Sequence, residues 1–139
     1  MAFVNIMIHA VWGTKKKEPY FTKELRAKVI DHIRENAKVK QIYIDRIDGG
    51  TDHLHCLMRL NANMSMSKAM QLIKGESAYW INKEKIFRSK FEWADEYFAV
   101  SVSKSQVAKV RAYIDNQETH HSKKTFQQEY DEFISSWNF

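Results

Sequence analysis

Scarcity is the first property of this sequence. Its 139 residues include one cysteine, Cys56, so no internal disulfide can form, and a reducing compartment, the cytoplasm, is the expected setting. One proline and four glycines leave little material for linkers, collagen-like repeats or low-complexity segments. The longest apolar stretch, Phe3 to Trp12, is interrupted by Asn5 and His9, which excludes a membrane-spanning helix there. No charged N-terminal segment precedes an apolar block, so no secretory signal is expected. There is also no P-loop, no glycine-rich dinucleotide fingerprint, no paired-cysteine zinc site and no serine nucleophile elbow. A nucleotide cofactor is therefore not expected.

What is present suits a single soluble domain over residues 1–139. The hydrophobic fraction of 44% and charged fraction of 28% support one buried core. Lys and Arg number 22 against 17 Asp and Glu, a net charge of +5 that is compatible with a polyanionic partner without requiring one. Lys15-Lys16-Lys17 is a run of three adjacent basic residues.

Periodicity divides the chain into elements. Phe3 to Trp12 alternates, with Val4, Ile6, Ile8, Ala10 and Trp12 on one side and Asn5 and His9 on the other, which predicts a half-buried strand. Thr22 offers an N-cap to a helix through Leu25, Val29, Ile30 and Ile33, ending near Val39. Gln41 to Ile47 and His53 to Leu60 flank the turn Asp48-Gly49-Gly50-Thr51-Asp52 and should form an antiparallel hairpin. Ser65 or Ser67 can cap a second helix through Met70, Ile73, Ala78 and Ile81. Lys83 to Asp95 reads as a charged, aromatic loop, and Tyr97 to Ser103 as a strand with Phe98, Val100 and Val102 on its apolar side. A helix from Ser103 or Ser105 to about His121 and another over Phe126 to Trp137 complete the chain. The order β-α-β-β-α-β predicts an α+β, ferredoxin-like antiparallel sheet with two helices on one face and C-terminal helices beyond.

Strand parity locates the chemistry. Leu54, Cys56, Met58 and Leu60 share the apolar side of their strand, so His53, His55 and Arg59 point the other way. The same argument sends Asn5, His9, Ser101 and Ser103 to that second face, which reads as a site rather than a second core. Two imidazoles spaced by one residue on a strand can share a metal ion; the triplet is a weak signal by itself, and its placement away from the apolar side makes a metal site as good a reading as chance. Tyr113 and Gln117, one helical turn apart, lie on one flank of a stripe formed by Val107, Val110 and Ile114, with His120 and His121 nearby. They read either as a nucleophile beside a ligand or as an interfacial tyrosine with a polar tail. Tyr79, Trp80, Phe87, Phe91, Trp93 and Tyr97 are interleaved with Lys74, Lys83, Lys85, Arg88 and Lys90, a pattern equally open to base stacking and to core packing beside a solvated face.

Two segments together carry a resemblance. Asp52-His53-Leu54-His55 is similar to the His-hydrophobic-His motif of the HUH endonucleases. Ala99-Val100-Ser101-Val102-Ser103, followed by Tyr113-Ile114-Asp115-Asn116-Gln117-Glu118-Thr119-His120-His121, resembles the single-tyrosine transposases of small bacterial insertion sequences. The likeness extends over nearly the whole chain, including the strand order and Phe126 to Tyr130. It implies that Tyr113 attacks a phosphodiester of single-stranded DNA, forming a 5′-phosphotyrosine while a 3′-hydroxyl leaves. It also implies that His53, His55 and Gln117 hold a divalent metal, Mg²⁺ or Mn²⁺. The implied partners are DNA hairpins at element ends and a second copy of the chain, whose tyrosine helix commonly completes the histidine site across the dimer. A host-recruited relative acting on repeated palindromes is implied equally well.

The chemistry is consistent with these roles. Tyrosine, with an ordinary pKa of about 10, is a poor nucleophile at neutral pH and needs assistance. A covalent phosphotyrosine conserves the energy of the phosphodiester, so strands can be rejoined without a nucleotide. Lys15, Lys16, Lys17, Arg59, Lys74 and Arg88 are the candidate phosphate contacts. Two other readings remain: a single-stranded nucleic-acid binding module with exposed aromatics on its open sheet face, and a metal-dependent hydrolase in which Tyr113 only packs.

Overall fold

The computed structural model describes residues 3–117 together with Gln128, Asp131 and Glu132. Among the described residues the strands and α-helices follow in the order β1 (Met7–Gly13), α1 (Lys23–Val39), β2 (Tyr43–Gly49), β3 (His53–Arg59), α2 (Met66–Lys83), β4 (Phe98–Val102) and α3 (Val107–Asp115). The strands form one antiparallel sheet in the spatial order β2-β3-β1-β4. The α+β architecture expected from the sequence is therefore present. His120, His121 and the helix expected over Phe126 to Trp137 lie outside the described residues apart from Gln128, Asp131 and Glu132.

Local chemistry accounts for the element ends. Thr22 Oγ1 accepts from the Leu25 amide at the start of α1, and Ser65 Oγ accepts from the Lys68 amide at the start of α2. In the hairpin between β2 and β3, a Cβ on Gly49 would run into the His53 carbonyl oxygen and approach Leu54 Cα, so only glycine lets the two strands close there. β1 starts at Met7 rather than at Phe3. Met7 is already opposite Arg59 and Val102, the last residues of β3 and β4, and past it the pairing ends with the Leu60 amide donating to the Ile6 carbonyl at 2.8 Å. Phe3 and Ile6 are correspondingly exposed.

The sheet has two buried faces. On one, α1 and α2 supply Val29, Ile30, Ile33, Met70, Ile73 and Ile81 against Ile8, Ala10, Trp12, Leu54, Cys56 and Met58. On the other, α3 lies over β2 and β3. Here Val11, Leu57, Phe98, Val100 and Ile114 are buried outside the main cluster and form a second, smaller core.

That second core corrects the expectation for β4. Phe98 pairs with Val11 and Val100 with His9, so both belong to the histidine face, while Ser101 pairs with Ile8 on the side of α1 and α2. Alternation in β4 was legible, but not which side meets the main core. The aromatic loop after α2 is likewise largely interior: Phe91 and Trp93 are buried and pack with Phe21, and Trp93 Nε1 donates to Ser77 Oγ at 2.9 Å.

Candidate active site

Three strand residues and one helix build a site on the second face. His53 and His55 project from β3 as parity required, but they are enclosed rather than open: both are fully buried beneath α3. Their rings lie 5.1 Å apart between centroids, at 75° to one another. His53 Nδ1 is 2.8 Å from Asp52 Oδ1, a contact in which the ring donates to the carboxylate and keeps its lone pair on Nε2. His55 Nδ1 is 2.9 Å from His9 Nε2. One proton serves that contact, and when His55 donates it the lone pair again falls on Nε2. Both rings can thus present the same kind of nitrogen to a ligand.

The tyrosine comes to the histidines from α3 of the same chain. Its half-buried ring meets His55 edge-on, with centroids 5.4 Å apart at 76°, and lies 6.2 Å from His9. Gln117, two residues beyond the end of α3, is fully buried, and its Nε2 donates to the Tyr113 carbonyl at 3.3 Å. Among the described residues no group of three or more His, Cys, Asp and Glu is arranged to hold a metal ion. The site instead offers two imidazoles and an amide.

The predicted phosphate contacts have diverse surroundings. Lys15, Lys16 and Lys17 form a single 3-10 turn directly after β1, whose last residue, Gly13, pairs with His53. The turn is tied to the site by the Thr14 amide, which donates to the Asp52 carbonyl at 2.8 Å. Lys16 and Lys17 have φ of 57° and 56°, an unfavourable left-handed conformation for residues with side chains. Lys15 pairs with Glu92 at 2.9 Å. Arg59 is exposed at the far end of β3 and lies over the Tyr43 ring at 4.7 Å. Arg88 lines a groove of about 670 Å³ with Lys85, Ser89 and Lys90. Lys74 is turned inward: its ammonium donates to the carbonyls of Ala94, Asp95 and Glu96 at 2.7, 3.0 and 3.4 Å, and burial lowers its pKa.

Other proteins share this arrangement of elements. The family model described as transposase IS200-like matches residues 2–117. The chain belongs to the IS200-like transposase family. Transposases for the insertion sequence element IS200 from Salmonella typhimurium strain LT2 and from Salmonella typhi are each 28% identical to it over 118 residues, covering 81% of this chain and 77% of theirs. A candidate transposase from Deinococcus radiodurans R1 superposes with a TM-score of 0.68 at 20% identity, covering 84% of this chain and 93% of that one. A REP-associated tyrosine transposase bound to a REP hairpin superposes with a TM-score of 0.66 at 10% identity, covering 87% and 71%. At those identities the two solved structures speak to the fold. As a member of the IS200-like transposases, this chain carries its buried His53, His55 and Gln117 and its half-buried Tyr113 within the matched segment.

Sequence reasoning missed part of this site. His9 was placed on the correct face, yet its bond to His55 follows only from the register that sets β1 against β3. Asp45 and Arg111, which pair between β2 and the tyrosine helix, carry no such signal. Theirs is a helix-to-sheet contact between residues 66 apart in sequence, with no local pattern to announce it.

Proposed function

We propose that the chain, acting as one catalytic domain over residues 1–139, is a DNA strand transferase that cuts and rejoins single-stranded DNA through Tyr113. The observation that carries this reading is the edge-on packing of the Tyr113 ring against buried His55, with Gln117 one helical turn further on. Tyr113 Oη attacks the phosphorus of a phosphodiester. The bond to the 3′-oxygen breaks, the 3′-hydroxyl leaves with a proton, and the 5′-phosphate stays on the tyrosine. Attack by a 3′-hydroxyl on that phosphotyrosine reverses the step, releases the phenol and joins the strands.

His53 and His55 through Nε2, with Gln117 through Oε1, fit a divalent ion, Mg²⁺ or Mn²⁺, because neutral imidazole and amide donors leave its charge undiminished. Such an ion supplies stabilisation of the negative charge that develops on the phosphate oxygens. Asp52 and His9 orient the two rings toward it. The substrate is single-stranded DNA marked by a hairpin, a reading supported by the structural neighbour bound to a REP hairpin. The turn Lys15 to Lys17 follows the strand that flanks His53 and is the leading phosphate contact, with Arg59 and Arg88 further away. Lys74 ranks last among these contacts, since three carbonyls already take its ammonium. The chain acts as a homodimer in the cytoplasm.

The test uses single-stranded oligonucleotides copied from the DNA flanking the gene, with Mg²⁺ or Mn²⁺, resolved on a denaturing protein gel. A metal-dependent adduct that disappears in Tyr113→Phe supports the reading. Cleavage that persists in Tyr113→Phe transfers it to a hydrolase, and hairpin binding without any adduct transfers it to a binding module.

A further inference from the structure

The β2–β3 ladder contains one irregularity. Ile44 pairs with Met58 and Arg46 with Leu57, so Asp45 and Arg46 together oppose a single residue in a β-bulge. Two consecutive side chains of opposite charge are thereby presented to α3 instead of alternating across the sheet. Arg111 grips Asp45 with both arms of its guanidinium: Nε donates to Oδ1 at 2.8 Å and Nη2 to Oδ2 at 2.7 Å. One turn later, Asp115 lies 3.5 Å from Arg46 Nε. The charges are crossed, with acid on the strand meeting base on the helix and then the reverse. The Asp45 side chain is only 4% exposed, whereas that of Arg111 is 42% exposed. The hydrogen bonds from Arg111 hold the Asp45 carboxyl below its ordinary range.

The position of this contact on the helix gives it a purpose. At about 100° per residue, Arg111 and Asp115 fall on one flank of the buried Ile114, and Tyr113 and Gln117 fall on the other. α3 has nine residues, of which Ile114 is fully buried and Val107 and Val110 only partly so, a short apolar stripe that resists rolling on the sheet weakly. Two crossed ion pairs on one flank fix both its roll and its axial position, and so fix where the opposite flank places its phenol. A slide of one turn along the axis would set Arg46 against Arg111, like against like.

We propose that Asp45, Arg46, Arg111 and Asp115 form a positioning clamp that holds the Tyr113 ring against His55 of its own chain. The clamp rests on the assignment of Tyr113 as the nucleophile, but its geometry can be tested without DNA. In protein carrying ring-labelled tyrosine, the Tyr113 resonance is identified by its loss in Tyr113→Phe. The paired variant Asp45→Leu with Arg111→Leu removes the buried pair of the clamp without stranding a buried charge. It should move the Tyr113 resonance to that of a solvated tyrosine and lower amide protection in α3 at least tenfold, with β1 and β3 still protected. Arg111→Lys keeps the charge, loses the fork and should give a smaller change of the same kind, so the test survives if the paired variant fails to fold. DNA adduct formation by Arg111→Lys should slow about tenfold at unchanged half-saturation by DNA. An unchanged Tyr113 resonance in Arg111→Lys, or protection lost equally in α3 and the sheet, would overturn the clamp. Absence of any adduct from the unsubstituted protein would instead retire the nucleophile assignment and leave the resonance result standing.

Discussion

At 2.9 Å from His55 Nδ1, His9 Nε2 shares a single proton with that ring. An acceptor at this point keeps the His55 lone pair on Nε2, the atom assigned to the metal. His9→Gln retains an acceptor and should keep divalent-ion affinity near that of the unsubstituted protein. His9→Leu should weaken it by about 10- to 100-fold in calorimetric titration, and equal affinities in the two variants would contradict this role. Cys56 stands one residue from His55 but belongs to the opposite face, and burial pushes its thiol up to about 12. It should react with a thiol reagent only as fast as the protein unfolds, and rapid labelling under native conditions would show the β3 parity to be wrong.

Among the elements, α3 is held differently from α1 and α2. Those two helices have side-chain caps and long apolar stripes; α3 has no side-chain N-cap and a single fully buried residue within it. Thr22→Ala should therefore cost about 1 kcal/mol of global stability, visible as a lower Tm. The attachment of α3 should respond to acid. Asp45 has a folded-state pKa below its unfolded one, so its contribution is full above the unfolded value of about 4 and disappears as pH falls through the folded value. Thermal melts from pH 6 down to pH 2 should lose stability across that window, and Asp45→Asn should flatten the loss. An unaltered acid limb would contradict the importance of the pair.

The same contrast explains what the sequence disclosed. α1, α2 and the hairpin announce themselves through local period, caps and turn residues, and the direction of His53 and His55 follows from parity within β3. The reversed facing of β4 and the burial of the histidines do not, because the first depends on the register of β4 against β1 and the second on α3 lying over β3. The bulge at Asp45 leaves no local mark either: Tyr43 to Gly49 reads as an ordinary alternating strand until its partner is known.

For the molecule as a whole, the fold is a sheet with a different task on each side. Leu54 belongs to the stabilising face, where full burial of such a side chain is worth about 1.5–3 kcal/mol, and Leu54→Asp should prevent folding as judged by circular dichroism. The histidine face is where the family's chemistry would reside, flanked at one end by the Lys15 to Lys17 turn. Hairpin affinity should fall steeply with added salt as phosphate contacts release counterions, and removing those lysines should reduce the slope. A slope indifferent to them would move the DNA path elsewhere. Whether Tyr113 is the nucleophile is decided by mass spectrometry of the protein after incubation with a cognate single-stranded oligonucleotide and Mn²⁺. The peptide that contains Tyr113 should carry a nucleotide linked through its 5′-phosphate. Modification of any other residue, or strand cleavage that continues undiminished in Tyr113→Phe, would contradict it.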